Sequence, residues 1–302
     1  MKKIITIIAT SVFLCNTFTS AAQPHFDEQG NLNYRDYELL LNPATVGMAT
    51  QSQLSLSAHK QWLGFEGAPL SELLQYQMPI AQHSGLGAWV HNDAFGVTHN
   101  LQVGVVYAHK IRLKNNFLSF GLSLSALTMQ ESRITDLNDP ENDHTFNEPL
   151  SSQFGFNAGF GVYYAGEKFY AGVSIPQLLT NEIKENSLSN GMDVARLQYY
   201  FTGGYRFDVT DKISLSPSAL LQLSGATEVG YAFMLTAAYN RRVEAGAGWT
   251  SSSQLQLSVG AAVTKKLSLR YQFSQEVGSE YHAGSSHFIV VRFAWGGRKP
   301  VI

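Results

Sequence analysis

The chain is poor in charge, poor in proline and almost without cysteine. Of its 302 residues only 15% are charged, against roughly 25% in an ordinary soluble domain. That shortage, with 26 glycines, argues against a long helical or coiled-coil protein, which would be rich in Glu, Lys, Ala and Leu. The 18 Phe and 14 Tyr, which supply ample apolar area, argue equally against disorder. The formal charge of −2 is too near zero to imply a nucleic-acid partner. The single cysteine is Cys15, so the chain beyond it offers no disulfide and no thiolate metal site. Nor does any apolar run after the first turns of sequence reach the roughly 20 residues a membrane helix needs.

What is present begins with a targeting segment. Met1-Lys2-Lys3 is a short positive region, Ile4 to Leu14 is apolar, and Ser20-Ala21-Ala22 offers small residues for cleavage. This pattern predicts a signal peptide over residues 1–22 that is removed on export. The apolar run is too short for a membrane anchor. A lipoprotein reading at Cys15 fails because Val12-Phe13-Leu14 lacks the small residues a lipidated cysteine follows.

Beyond a polar lead-in at residues 23–50, the chain alternates with a period of two. Leu255, Leu257, Val259 and Ala261 share one face, with Gln254, Gln256, Ser258 and Gly260 on the other. Leu118, Phe120, Leu122 and Leu124 alternate with Ser119, Gly121, Ser123 and Ser125 in the same way. Such alternation marks strands with one apolar face. It predicts about fourteen of them, over 52–61, 70–79, 84–93, 98–111, 116–130, 152–164, 167–175, 194–207, 212–224, 229–240, 243–251, 254–263, 265–275 and 284–295. The polar faces carry Ser, Gln, Gly and Asn rather than the Lys and Glu of a surface in bulk water. They suit a crowded, hydrated lumen, and the apolar faces suit lipid. Residues 51–302 therefore read as an all-β, transmembrane antiparallel β-barrel in the outer membrane. Aromatics near the strand ends, among them Trp62, Tyr163, Tyr170, Trp249 and Trp295, suit interfacial girdles. Two long connections, 131–151 and 176–193, read as loops outside the cell, and the lead-in as a plug or a periplasmic contact.

Chemistry is harder to find. His83, His91, His99, His109, His282 and His287 recur without the spacing of a metal site, so no metal ligand, cofactor or catalytic residue is assigned. A lipid-directed hydrolase assembled from Ser285-Ser286-His287 with Asn92-Asp93 is a weaker reading, since a serine-rich chain yields false triads easily.

One region is unusual. Leu41-Asn42-Pro43-Ala44 is a chain-turning element. It is followed by Gln61-Trp62-Leu63-Gly64-Phe65-Glu66-Gly67-Ala68-Pro69, a tight aromatic turn. Together with Gly85-Leu86-Gly87 through Asn92-Asp93 to Gly96, the Phe154–Tyr164 strand, the run Phe169 to Leu179 and the closing Gly284-Ser285-Ser286-His287, the chain resembles the PorP/SprF family. One departure is Phe288, where that family commonly carries Glu. The resemblance implies a non-enzymatic outer-membrane barrel of the type IX secretion system in a Bacteroidetes-type cell. Its partners would be outer-membrane lipid, periplasmic ring lipoproteins of that system, or a secreted adhesin used in gliding. Trp62, Gly64, Phe65, Gly67 and Pro69 are the candidate contact residues. A passive channel for small solutes is the alternative.

Overall fold

The computed structural model of the chain describes residues 34–131, 153–184, 187–191, 197–224, 229–278 and 284–296. The alternating sequence is realised as strands β1 (Ser52–Lys60), β2 (Leu70–Pro79), β3 (Ser84–Phe95), β4 (Thr98–Leu113), β5 (Asn116–Glu131), β6 (Gln153–Ala165) and β7 (Phe169–Ile175). A small separate hairpin follows, β8 (Thr180–Lys184) with β9 (Ser187–Gly191). Then come β10 (Gln198–Tyr205), the two-residue β11 (Phe207–Asp208), β12 (Ile213–Ser224), β13 (Val229–Tyr239), β14 (Val243–Thr250), β15 (Gln254–Ala262), β16 (Leu267–Glu276) and β17 (Ser286–Trp295). Each expected strand has its counterpart. The hairpin β8–β9 was not anticipated inside the connection 176–193. The expected signal peptide and nearly all of the connection 131–151 fall outside the described residues.

Antiparallel pairing runs unbroken from β1 to β7 and from β12 to β17. Two further pairings close the ring: β1 lies beside β17 (Ser52↔Trp295 to Lys60↔His287), and β10 joins β7 to β12 (Gln198↔Ser224). The result is a closed barrel of 14 strands, which leaves no free sheet edge in the membrane.

Burial shows which face is which. On β5 the apolar Leu122 and Leu124 are 59% and 65% exposed, whereas Ser119 is fully buried. Ser55, Ser57, Gln75, Asn157, Thr236, Gln256 and Gln272 are likewise buried on other strands. Apolar outside and polar inside is the reverse of a soluble domain and is what lipid demands. The turns after β2, β4, β6, β10, β13 and β15 are short and lie at the same end as residue 51, here the turn end. The opposite, loop end carries the β1–β2 turn and the longer connections.

Residues 34–50 lie inside the barrel. They form the short helix α1 (Glu38–Leu41) and a 3₁₀ turn (Pro43–Met48). Tyr34, Tyr37, Leu39, Leu40, Leu41, Ala44 and Val46 are all buried there.

Candidate functional site

The aromatic turn between β1 and β2 is rigid. Trp62, Gly64 and Gly67 all have positive φ (45°, 101° and 70°). Glycine takes such angles freely, whereas Trp62 must be held there. Its neighbours do so: the Leu63 amide donates to the Ser285 carbonyl (2.8 Å), and the Gly96 amide donates to the Gly67 carbonyl (3.0 Å). The Trp62 ring meets Phe95 edge-on at 6.5 Å. The turn is thus clasped between the β3–β4 tip and the segment entering β17. The five candidate residues lie together but differ in access. Pro69 is buried, and Phe65 is 57% exposed beside an equally exposed Leu63. The turn is a firm backbone that presents apolar side chains at the loop end.

The lumen holds a second and larger constellation. Asn42 starts the 3₁₀ turn by accepting from the Ala44 amide (3.0 Å), and Pro43 sits at its first position, where no amide is needed. This Asn-Pro-Ala element seats against glycines of β5, β6 and β7, and Val46 of the same turn against glycines of β3. A Cβ on Gly121 would overlap Pro43 and Ala44, and one on Gly161 would overlap the Asn42 amide. One on Gly85 would overlap the Val46 carbonyl. The glycines make a smooth cradle for main chain to approach main chain. Polar groups on the wall then satisfy the plug's backbone. Ser119 Oγ donates to the Ala44 carbonyl (2.8 Å), Ser174 Oγ to the Leu41 carbonyl (2.7 Å) and Gln75 Nε2 to the Asp36 carbonyl (2.6 Å).

Charge locks the other flank. Asp36, almost fully buried, accepts from Arg270 (2.7 Å) and Arg292 (3.0 Å). Arg270 also reaches Glu244 (2.6 Å), and Arg35 donates to Thr236 Oγ1 (2.8 Å). Toward the loop end, Tyr37 packs on Phe288 (5.7 Å) and edge-on to His91 (6.2 Å), and His59 meets Phe288 edge-on (5.7 Å). Phe288 therefore makes an apolar floor under Tyr37. These partners were not legible in the sequence. Arg292 and Glu244 stand at inward positions of otherwise uncharged strands, and Arg270 is the one cation of β16; that isolation was the available signal.

The hydrolase constellation comes together only in part. Ser285 Oγ lies 3.0 Å from His287 Nε2, and Tyr271 OH lies 2.7 Å from His287 Nδ1. Asn92 instead binds Glu72 (3.1 Å), and Asp93 binds Ser71, so neither orients His287. His83 and His109 lie with ring centroids 6.3 Å apart. Among the described residues no three His, Cys, Asp or Glu side chains gather as a metal site would require.

Solved outer-membrane barrels share this fold. The toluene transporter TbuX of Ralstonia pickettii superposes with a TM-score of 0.55 at 11% identity, over 86% of this chain and 94% of that one. The CymD monoaromatic hydrocarbon channel gives 0.52 at 12% identity, over 87% and 92%. Omp33 of Acinetobacter baumannii gives 0.50 at 7% identity, over 82% and 100%. At such identities the likeness speaks of fold alone. No curated protein sequence matches the chain. The barrel is an integral protein of the outer membrane. The model of the type IX secretion system membrane proteins PorP/SprF matches residues 28–293, from before the plug to the last strand, and the chain belongs to that family.

Proposed function

We propose that this protein is a non-enzymatic docking barrel of the type IX secretion system. It holds a secreted protein or a secretion component at the outer membrane, for export or for surface attachment, a gliding adhesin being one such cargo. The observation that carries this reading is the occupied lumen. Residues 34–50 are hydrogen-bonded into the glycine cradle and ion-paired across it, and a buried layer of Trp89, His91 and Phe288 lies beyond. A barrel filled by its own chain works through its ends. Fourteen strands also enclose less space than a porin of 16–18, so a folded cargo does not pass through. In this reading the turn end faces the periplasm and any ring lipoprotein, and the loop end with Trp62 and Phe65 faces the surface.

The test is the secretome of a deletion strain against its parent. The reading expects one adhesin, or many cargo proteins, to disappear from surface and medium. An unchanged secretome, together with steady conductance of the purified protein in planar bilayers, would replace it with the passive channel.

A further inference from the structure

The turn end carries a ring of cations that the occupied lumen does not use. On β4, Val106 and Ala108 are buried toward the lumen, and Lys110 and Arg112 follow them in step. Lys212, Arg242 and Lys266 stand just before β12, β14 and β16, in register with the inward residues Leu220, Glu244 and Arg270. The lipid-facing neighbours are apolar and exposed: Ile111, Leu113, Ile213 and Val243. The charges therefore stand around the mouth of the barrel, and Lys114, Arg241 and Lys265 are exposed on the tips of the same turns.

Backbone bonds fix these tips. The Lys110 amide donates to the His83 carbonyl (2.7 Å), the Asn240 amide to the Lys212 carbonyl (2.7 Å), the Ala262 amide to the Arg242 carbonyl (2.7 Å) and the Ala294 amide to the Lys266 carbonyl (2.8 Å). Lys168 and Arg206 belong to the same rim but share one carboxylate, Asp208 (3.0 and 3.3 Å). That pairing holds the Asp208 carboxyl below the usual carboxylate range. Glu167 and Asp211 are the other carboxylates on these turns. Inside the mouth, Glu38 of the plug lines a cleft with Arg35 and Arg292. Lys212, Arg242 and Lys266 have no carboxylate within ion-pair distance among the described residues. Like charges fixed around one opening repel, and an anionic partner relieves that repulsion.

We infer that this basic mouth is a docking site for a carboxylate-rich segment of another polypeptide, received along the barrel axis at the turn end. The inward register argues for a ligand on the axis. The chain's place in a protein-secretion family argues for a polypeptide over other polyanions, and only on that point does the inference lean on the docking reading.

The experiment uses the full mature barrel in phosphatidylcholine nanodiscs and a fluorescent poly-L-glutamate as probe, read by anisotropy. Saturable binding is expected, weakening with added salt as exposed charges are screened. The triple variant Lys212→Glu/Arg242→Glu/Lys266→Glu should weaken it at least about tenfold. The milder Lys212→Gln/Arg242→Gln/Lys266→Gln variant should lie between, and Lys60→Glu at the loop end should bind as the parent does. Gel mobility without boiling shows which variants are folded. Equal binding by the parent and the Gln variant overturns the inference. So does dextran sulphate binding without polyglutamate binding, or loss of the probe on changing to phosphatidylglycerol nanodiscs, which would mean that headgroups occupy the ring. Polyglutamate binding beside an unchanged deletion secretome would leave the ring standing and remove the secretion reading; the converse pair of results would do the opposite.

Discussion

Gly121 shows how little room the plug leaves. It stands inward on β5 between Ser119 and Ser123, and any side chain there enters the space of Pro43 and Ala44. Gly121→Val should therefore cost about 1–3 kcal/mol as overpacking, either straining the barrel or expelling the plug. Because Cys15 lies in the expected leader, Ala44→Cys supplies a unique thiol in the plug. Maleimide should label that thiol slowly in an otherwise unchanged barrel and much faster when Gly121→Val is added; equal rates would show that the cradle does not hold the plug. Asp36 is the electrostatic counterpart. Asp36→Asn leaves Arg270 and Arg292 facing a neutral amide in a nearly closed space, where breaking one side of a buried pair costs about 3–5 kcal/mol. The same labelling assay should report a loosened plug, and Arg270→Gln should loosen it less, because Arg292 stays on Asp36 while Glu244 faces the partly open lumen.

At the scale of elements, the strands were legible, whereas the plug was only one of two readings of a polar lead-in. A strand between lipid and lumen must alternate, so Leu255 to Ala261 or Leu118 to Leu124 announce themselves. A segment packed against a polar wall has no such obligation. Residues 34–50 offer Tyr34 to Ser218, Arg35 to Thr236, Asp36 to Arg270 and Asn42 to the Val162 carbonyl, and so show no alternation. The Asn-Pro-Ala turn was visible, but its cradle comes from four strands spread from Gly85 to Gly172, which only the closed sheet brings together. The β1–β2 turn lies between these cases. Its glycines follow from local turn chemistry, whereas its clasp by Gly96 and Ser285 is long-range. Two variants separate its roles. Gly67→Val forces a branched side chain onto a positive φ and should lower the barrel's resistance to heat. Phe65→Ala removes an exposed ring, should leave that resistance within about 0.5 kcal/mol of the parent, and should still reduce the amount of surface-displayed cargo. Unchanged cargo would take Phe65 out of the contact surface.

The whole molecule is a closed wall around a blocked centre, and the two properties can be measured apart. Closure without a free edge predicts heat-modifiable mobility: unboiled protein should migrate faster than boiled protein and show a β-type circular dichroism spectrum. Blockage is a property of residues 34–50 set against Ser119, Ser174, Gln75, Arg270 and Arg292, and of nothing in the strand pairing. Deleting 34–50 should therefore keep the heat-modifiable shift and change the conductance. Intact protein in a planar bilayer should be nearly silent. The deletion should open steps that favour anions, since Arg270 and Arg292 lose Asp36 while the cations of the turn-end mouth remain. A deletion barrel as silent as the intact one would place the barrier in the layer of Trp89, His91 and Phe288. An intact barrel already conducting would mean that the plug leaves a path around itself, along the side where Glu244 and Ser218 are only half-buried.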